Sequence, residues 1–206
     1  MKLKIAHRGY KFKDNTIEAF ENAIRNSFDM IELDIQLCKS GEIVIYHDIV
    51  INNKYILDIT LDELREFDVI TLDEFFIKID ITKIKIYLDL KGCDELADVL
   101  LKKLKDINTT NIYIASFNRK HLCKLYNKNL KLGFITDNCF TNNEIDILTK
   151  NLNFISLEWS SIDEEMINYC KSKNLIIFIF TIKNIEEFKL ISKFNVDGFI
   201  SDIKFN

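Results

Sequence analysis

Residues 31–48 read IELDIQLCKSGEIVIYHD. Two apolar runs of strand length, Met30–Ile35 and Ile43–His47, stand too close together for a helix between them. Only eight residues separate Asp34 from Ile43, whereas a crossover between parallel strands usually takes a dozen or more. If both runs are parallel and end at one rim, those residues return the chain extended. At about 3.3 Å each they span about 26 Å, enough for one barrel height, with Ser40-Gly41 supplying the turn.

Outward from this stretch, strand-length runs alternate with amphipathic helical patterns. The other strand candidates are Leu3–His7, Ile84–Leu90, Ile112–Ser116, Leu130–Ile135, Phe154–Leu157, Leu175–Thr181 and Gly198–Ser201. The helix candidates include one opened by Asn15-Thr16, with Ile17, Phe20 and Ile24 on one face, and two short ones at Leu61–Phe67 and Leu72–Ile77. Runs such as IIFIFTI (176–182) are apolar throughout, as in strands covered on both faces. The pattern predicts a parallel α/β fold, either a closed (β/α)8 barrel or an open doubly wound sheet. The absence of a GxGxxG or GxxxxGK[ST] motif weakens the open-sheet reading. Nine strand candidates are one more than a barrel holds, so one of them lies outside it or is not a strand.

The 206 residues suit a single domain, 1–206, that buries roughly 70% of its unfolded surface. A net charge of −4 supplies no long-range attraction for nucleic acid or anionic membrane, so an anion site must be a local cluster of cations. Five scattered cysteines without a CxxC pair predict reduced thiols, no structural zinc and a cytoplasmic location. No apolar run approaches 18 residues, so no stable membrane insertion is expected, and the charged start, which passes straight into a strand, predicts no signal peptide. Proline is absent while Lys, Ile and Asn abound, a bias read as codon drift.

Polar residues intrude at the ends of the first four strand candidates: His7-Arg8, then Glu32 and Asp34, then His47, then Asp89 and Lys91. Strand residues two apart share a face, so Glu32 points with Asp34, and Asp89 with Lys91. Singly, each has a bland reading: a structural histidine, a solvated strand edge, an ordinary ion pair. Together at one barrel rim they form a site. Three carboxylates suit a hard cation, Mg²⁺ or Ca²⁺. Two imidazoles suit acid and base catalysis near neutrality. Arg and Lys suit a phosphate. His121, on a helix pattern away from this cluster, reads as a surface residue.

The order His7-Arg8-Gly9, Asp14-Asn15-Thr16, Glu32-Leu33-Asp34, Lys39-Ser40-Gly41 and His47-Asp48 resembles the glycerophosphodiester phosphodiesterase family. Weaker similarities follow at Leu88–Lys91, Ser116-Phe117, Phe180-Thr181 and Val196–Asp202, so the resemblance covers nearly the whole chain. It implies a TIM-like (β/α)8 barrel with a helix-less connection between strands 2 and 3, and hydrolysis of small glycerophosphodiesters to glycerol 3-phosphate and an alcohol. It implies His7 and His47 as the acid/base pair, Glu32, Asp34 and Asp89 as ligands of a divalent metal, and Arg8 and Lys91 as phosphate contacts. Phe180 and Glu158 are candidates for a substrate wall. Trp159, Tyr10 and Phe117 read as rim packing.

The sequence departs from the family pattern at Lys13 (usually Pro), Asp14 and Asp89 (usually Glu) and Phe180 (often Trp). Asp89 is one methylene short, which draws its carboxylate back by roughly 1.3–1.5 Å, a large step against ligand distances of about 2.3–2.6 Å. The short segment from Ile49 to Lys83 predicts an open pocket. Two other readings stand beside this one. A lysophospholipid or sphingolipid phosphodiesterase would show an apolar rim patch, for which Phe75-Phe76 is the candidate. A non-catalytic barrel that binds a phosphorylated ligand would lack one of the site residues.

Overall fold

A computed structural model describes residues 2–126 and 128–205. The chain runs through β1 (Leu3–Ala6), α1 (Ile17–Arg25), β2 (Met30–Leu37), β3 (Ile43–Ile45), β4 (Val50–Ile51), β5 (Lys54–Tyr55), α2 (Leu61–Leu64), β6 (Ile70–Thr71) and α3 (Leu72–Lys78). Then β7 (Lys85–Leu90), α4 (Glu95–Lys103), β8 (Ile112–Ser116), α5 (Arg119–Leu125), β9 (Lys131–Thr136) and α6 (Asn142–Leu148) follow. It ends with β10 (Phe154–Glu158), α7 (Glu164–Ser172), β11 (Ile176–Ile182), α8 (Ile185–Ile191) and β12 (Gly198–Ser201). No helix among the described residues is long and apolar enough to cross a membrane.

Eight strands form a closed parallel ring in the order β1-β12-β11-β10-β9-β8-β7-β2, and β1 pairs with both β12 and β2 to shut it. This is the expected (β/α)8 barrel. The surplus strand candidate is Ile43–His47. Its β3 portion runs antiparallel to the end of β2, with Ile35 opposite Ile45 and Leu37 opposite Ile43. The link from β2 to β3 is helix-less, as expected, but it is a hairpin rather than an extended return. Eight residues make a tight turn easily and a barrel-length crossover poorly. The turn closes through Gly41 N–H donating to Cys38 O at 3.0 Å. The chain then passes β6, which pairs antiparallel with β3, and α3 before entering the barrel at β7.

The barrel interior is filled by Ile5, Met30, Tyr87, Tyr113, Ala115, Ile135, Phe154, Phe178 and Ile200. Tyr87, Phe154 and Phe178 meet edge-on or tilted, with centroids 5.5–6.1 Å apart. Each such pair contributes about 0.5–1.5 kcal/mol beyond burial. Gly133 lies opposite Phe154 on β9, and a Cβ there would sit 2.1 Å from the Phe154 ring. Outside the strands, Phe20 and Ala23 of α1, Phe75 of α3, and Leu96 and Leu100 of α4 pack with Ile31, Leu33, Leu88 and Leu90. Strands buried on both faces carry the continuous apolar runs seen in the sequence. Phe75 is fully buried, edge-on to Phe20 at 5.1 Å, so it offers no rim patch.

Candidate active site

Beyond β1 the chain turns sharply through His7-Arg8-Gly9. Gly9 has φ +94° and rests on α1, where a Cβ would fall 2.5 Å from Ala19 Cβ. Only glycine fits this backbone and this approach. Arg8 itself has φ 54°, an uncommon conformation for a side-chain-bearing residue. Its backbone N–H donates to Glu32 Oε2 at 2.9 Å. Its Nε stands 3.0 Å from Asp34 Oδ2, a charge contact rather than an aligned hydrogen bond. Asn15 Nδ2 donates to the same Asp34 oxygen at 3.0 Å, and Asn15 N–H donates to Arg8 O at 2.9 Å. The first loop is thus stitched to the carboxylates of β2.

The β2–β7 register sets Asp34 beside Asp89 and Glu32 beside Tyr87. Glu32, Asp34 and Asp89 are all buried, and one oxygen from each lies within 4.8 Å of the others. Lys91 Nζ reaches Asp89 Oδ2 at 2.5 Å and Asp34 Oδ1 at 3.4 Å. Asp89 Oδ1 is buried without a partner.

Burial pushes the Glu32 carboxyl well above its usual range, and the charges of Asp34 and Asp89 push it further. Burial likewise raises Asp89 to about 7, against the pull of Lys91. For Asp34 burial is again the largest influence, but Lys91, Arg8 and the Asn15 hydrogen bond together outweigh it and hold the group below its usual range. Three crowded carboxylates, one of them with an orphaned buried oxygen, fit a hard divalent cation, whose binding would displace the protons. Asp89, although one methylene short, still reaches the cluster.

The two histidines are built alike. His7 Nδ1 pairs with Asp202 Oδ1, and His47 Nδ1 with Asp48 Oδ1, each at 2.6 Å. A carboxylate at Nδ1 fixes the proton there and leaves Nε2 for proton transfer. His47 is delivered by the β2–β3 hairpin, which rises beyond the rim and returns to it: Tyr46 N–H donates to Asp34 O at 3.1 Å. Buried Gln36 pins this return, its Nε2 donating to Tyr46 O and to Asp48 O at 2.8 Å each.

His7, Arg8, Glu32, Asp34, His47, Asp89 and Lys91 all line one cavity of about 140 Å³. Tyr87 lines it as well, its hydroxyl bonded to Ser156 Oγ at 2.8 Å. Phe117 and Phe180 form an aromatic wall, edge-on at 5.9 Å, with Lys91 Nζ 5.4 Å from the Phe117 centroid.

The sequence model of the Glycerophosphoryl diester phosphodiesterase family matches residues 7–203. The chain belongs to that family. A glycerophosphodiester phosphodiesterase from Caldanaerobacter subterraneus subsp. tengcongensis is 27% identical to it, over 97% of this chain and 93% of the relative. The crystal structure of a glycerophosphodiester phosphodiesterase from Thermotoga maritima superposes with a TM-score of 0.84 at 27% identity, covering 98% and 95% of the two chains. A phosphodiesterase from Oleispira antarctica, solved in complex with the product sn-glycerol-3-phosphate, has the same fold, with a TM-score of 0.86 at 20% identity over 98% and 93%.

Against this family background, the chain's own geometry assigns the remaining candidates. Glu158 does not line the site cavity. Its carboxylate accepts from Ser160 N–H at 2.7 Å and from Ser160 Oγ–H at 2.5 Å, capping its own turn. Trp159 packs on the outer core near β10 and β11, and Tyr10 is buried against Phe28 at 5.0 Å. His121 is fully buried, contrary to its surface reading: its Nδ1 lies 3.0 Å from Ser116 Oγ and its Nε2 2.8 Å from Cys93 O. Asn15, Gln36, Asp48 and Asp202 support the site without having been picked out as site residues. The available signal was chemical: a polar amide inside an apolar strand at Gln36, and a carboxylate next to a histidine at Asp48.

Proposed function

We propose that the protein is a divalent-cation-dependent glycerophosphodiester phosphodiesterase that releases glycerol 3-phosphate and an alcohol. One observation carries this reading: three buried carboxylates, one with an unpartnered oxygen, bring an oxygen each within 4.8 Å of one another, with a carboxylate-backed histidine from each of two loops lining the same cavity. A Mg²⁺ or Ca²⁺ ion held by Glu32, Asp34 and Asp89 would supply Lewis-acid stabilisation of phosphoryl charge. Arg8 and Lys91 orient the phosphate. One imidazole Nε2 takes the proton of a glycerol hydroxyl as that oxygen attacks phosphorus. The other gives its proton to the oxygen of the departing alcohol as the P–O bond breaks. Water then opens the cyclic phosphate with the proton transfers reversed. The sn-glycerol-3-phosphate seen with the Oleispira antarctica protein supports the product assigned here. Five free cysteines support a reducing, cytoplasmic setting.

The test is release of glycerol 3-phosphate from glycerophosphocholine or glycerophosphoethanolamine, with and without a chelator, using His47→Ala as control. Absence of cation-dependent turnover of any glycerophosphodiester would sink the proposal. A lysophospholipid or sphingolipid phosphodiesterase is a second reading, favoured by the exposed Ile49, Val50 and Tyr55 just after His47. Flotation with liposomes separates the two.

A further inference from the structure

The cavity that gathers the carboxylates and histidines is small, about 140 Å³, against roughly 300–1,000 Å³ for sites that enclose a drug-sized ligand. It suits a phosphate and a short polyol, so the other ester arm must lie outside it. A second cavity, about 480 Å³, adjoins it and shares His7, Arg8 and Thr181 with it. Its further lining includes Lys11, Phe12 and Lys183, with Asp14 and Asp202.

The charges in this groove are not balanced. Both carboxylates are engaged: Asp14 Oδ2 stands 3.6 Å from Arg8 Nη1, and Asp202 backs His7 at 2.6 Å. The two lysines are not. Among the described residues, neither Lys11 nor Lys183 forms an ion pair. Lys11 Nζ rests 5.2 Å from the Tyr10 ring centroid, and the Lys183 backbone N–H donates to Glu187 Oε2 while its ammonium stays uncommitted. On a chain of net charge −4, two unpaired ammoniums flanking one groove make a local positive field.

Building on the proposed function, we infer that this groove is the subsite for the departing head group, and that Lys11 and Lys183 select head groups bearing an anion, a carboxylate or a second phosphate. The diester phosphate is held in the first cavity by Arg8 and Lys91, so the groove lysines meet charge farther along the leaving alcohol. Both are on exposed loops, and an exposed charge pair is worth only a few-fold. Two acting together favour the anionic substrate about tenfold in kcat/KM at low ionic strength.

Matched substrates test this. Glycerophosphoserine differs from glycerophosphoethanolamine by one carboxylate. Glycerophosphoglycerol phosphate differs from glycerophosphoglycerol by one phosphate. The inference expects the anionic member of at least one pair to be preferred about tenfold by the wild-type enzyme, and the pair that shows it identifies the anion. In the Lys11→Gln/Lys183→Gln double variant the ratio falls to within about twofold of unity, and in Lys11→Glu/Lys183→Glu it drops below one. A wild-type ratio at or below one in both pairs, or a preference retained in the double variants, overturns the inference while leaving the proposed function standing. Turnover of glycerophosphocholine but of none of the four overturns the inference alone; turnover of none of the five overturns the proposed function as well.

Discussion

At the scale of single residues, two histidines carry a carboxylate on Nδ1, and the third is held by a hydroxyl and a backbone carbonyl. His47 sits half exposed on its carboxylate partner, and the proposed function makes it one of the two acid/base groups. Replacing it with Ala should lower kcat by about 10²–10⁴ while leaving cation-induced stabilisation in place, which steady-state kinetics and thermal melts with and without cation would check together. His121 is structural. Burial holds its pKa below the ordinary histidine value, against the raising influence of the Cys93 carbonyl hydrogen bond. Because the folded pKa is depressed, protonation favours the unfolded chain. The His121 contribution is present above the unfolded value of about 6.5 and is lost as pH falls below it. Urea melts at pH 5 and pH 7.5 should show a larger acid-side loss for wild type than for His121→Gln. An equal loss in both proteins contradicts this role. Its burial was illegible from sequence because a histidine on a helix can face either side, and the partners Ser116 and Cys93 that satisfy it lie on other elements.

At the scale of elements, the β2–β3 hairpin decides whether the site is complete. It brings His47 back to the level of Asp34, and buried Gln36 ties the strand to both residues flanking His47. Gln36→Ala leaves those two carbonyls without their donor, so kcat should fall by roughly tenfold or more, as a misplaced acid/base group costs, with cation affinity unchanged. Rapid-quench kinetics paired with calorimetric cation titration would separate the two effects. The hairpin also marks the limit of sequence reading here. Ile43–Ile45 is as apolar as any barrel strand and, covered by β6 and α3, is buried in the same way. Apolar pattern reports burial, not strand direction, and only the short connection hinted that this strand lies outside the ring. The polar residues at the strand ends were legible, because charge in an otherwise apolar run needs a reason.

At the scale of the whole molecule, barrel closure turns four separate strand ends into one site. β1 must pair with both β12 and β2 for His7, Asp202 and Glu32 to meet. The interior aromatic layer supports that closure from below. Gly133→Ala would drive a methyl into the Phe154 ring and should destabilise the protein by about 1–3 kcal/mol, measurable as a lowered urea midpoint. A cation bound only by the folded barrel should stabilise it by about 2.7 kcal/mol at one hundred times its dissociation constant, a gain visible in thermal melts and abolished by Asp89→Asn. The most direct measurement is an anomalous difference map from crystals grown with Mn²⁺. The account predicts one peak about 2.0–2.6 Å from an oxygen of each of Glu32, Asp34 and Asp89. A peak elsewhere, or none at that cluster while the enzyme turns over in the presence of chelator, would contradict it.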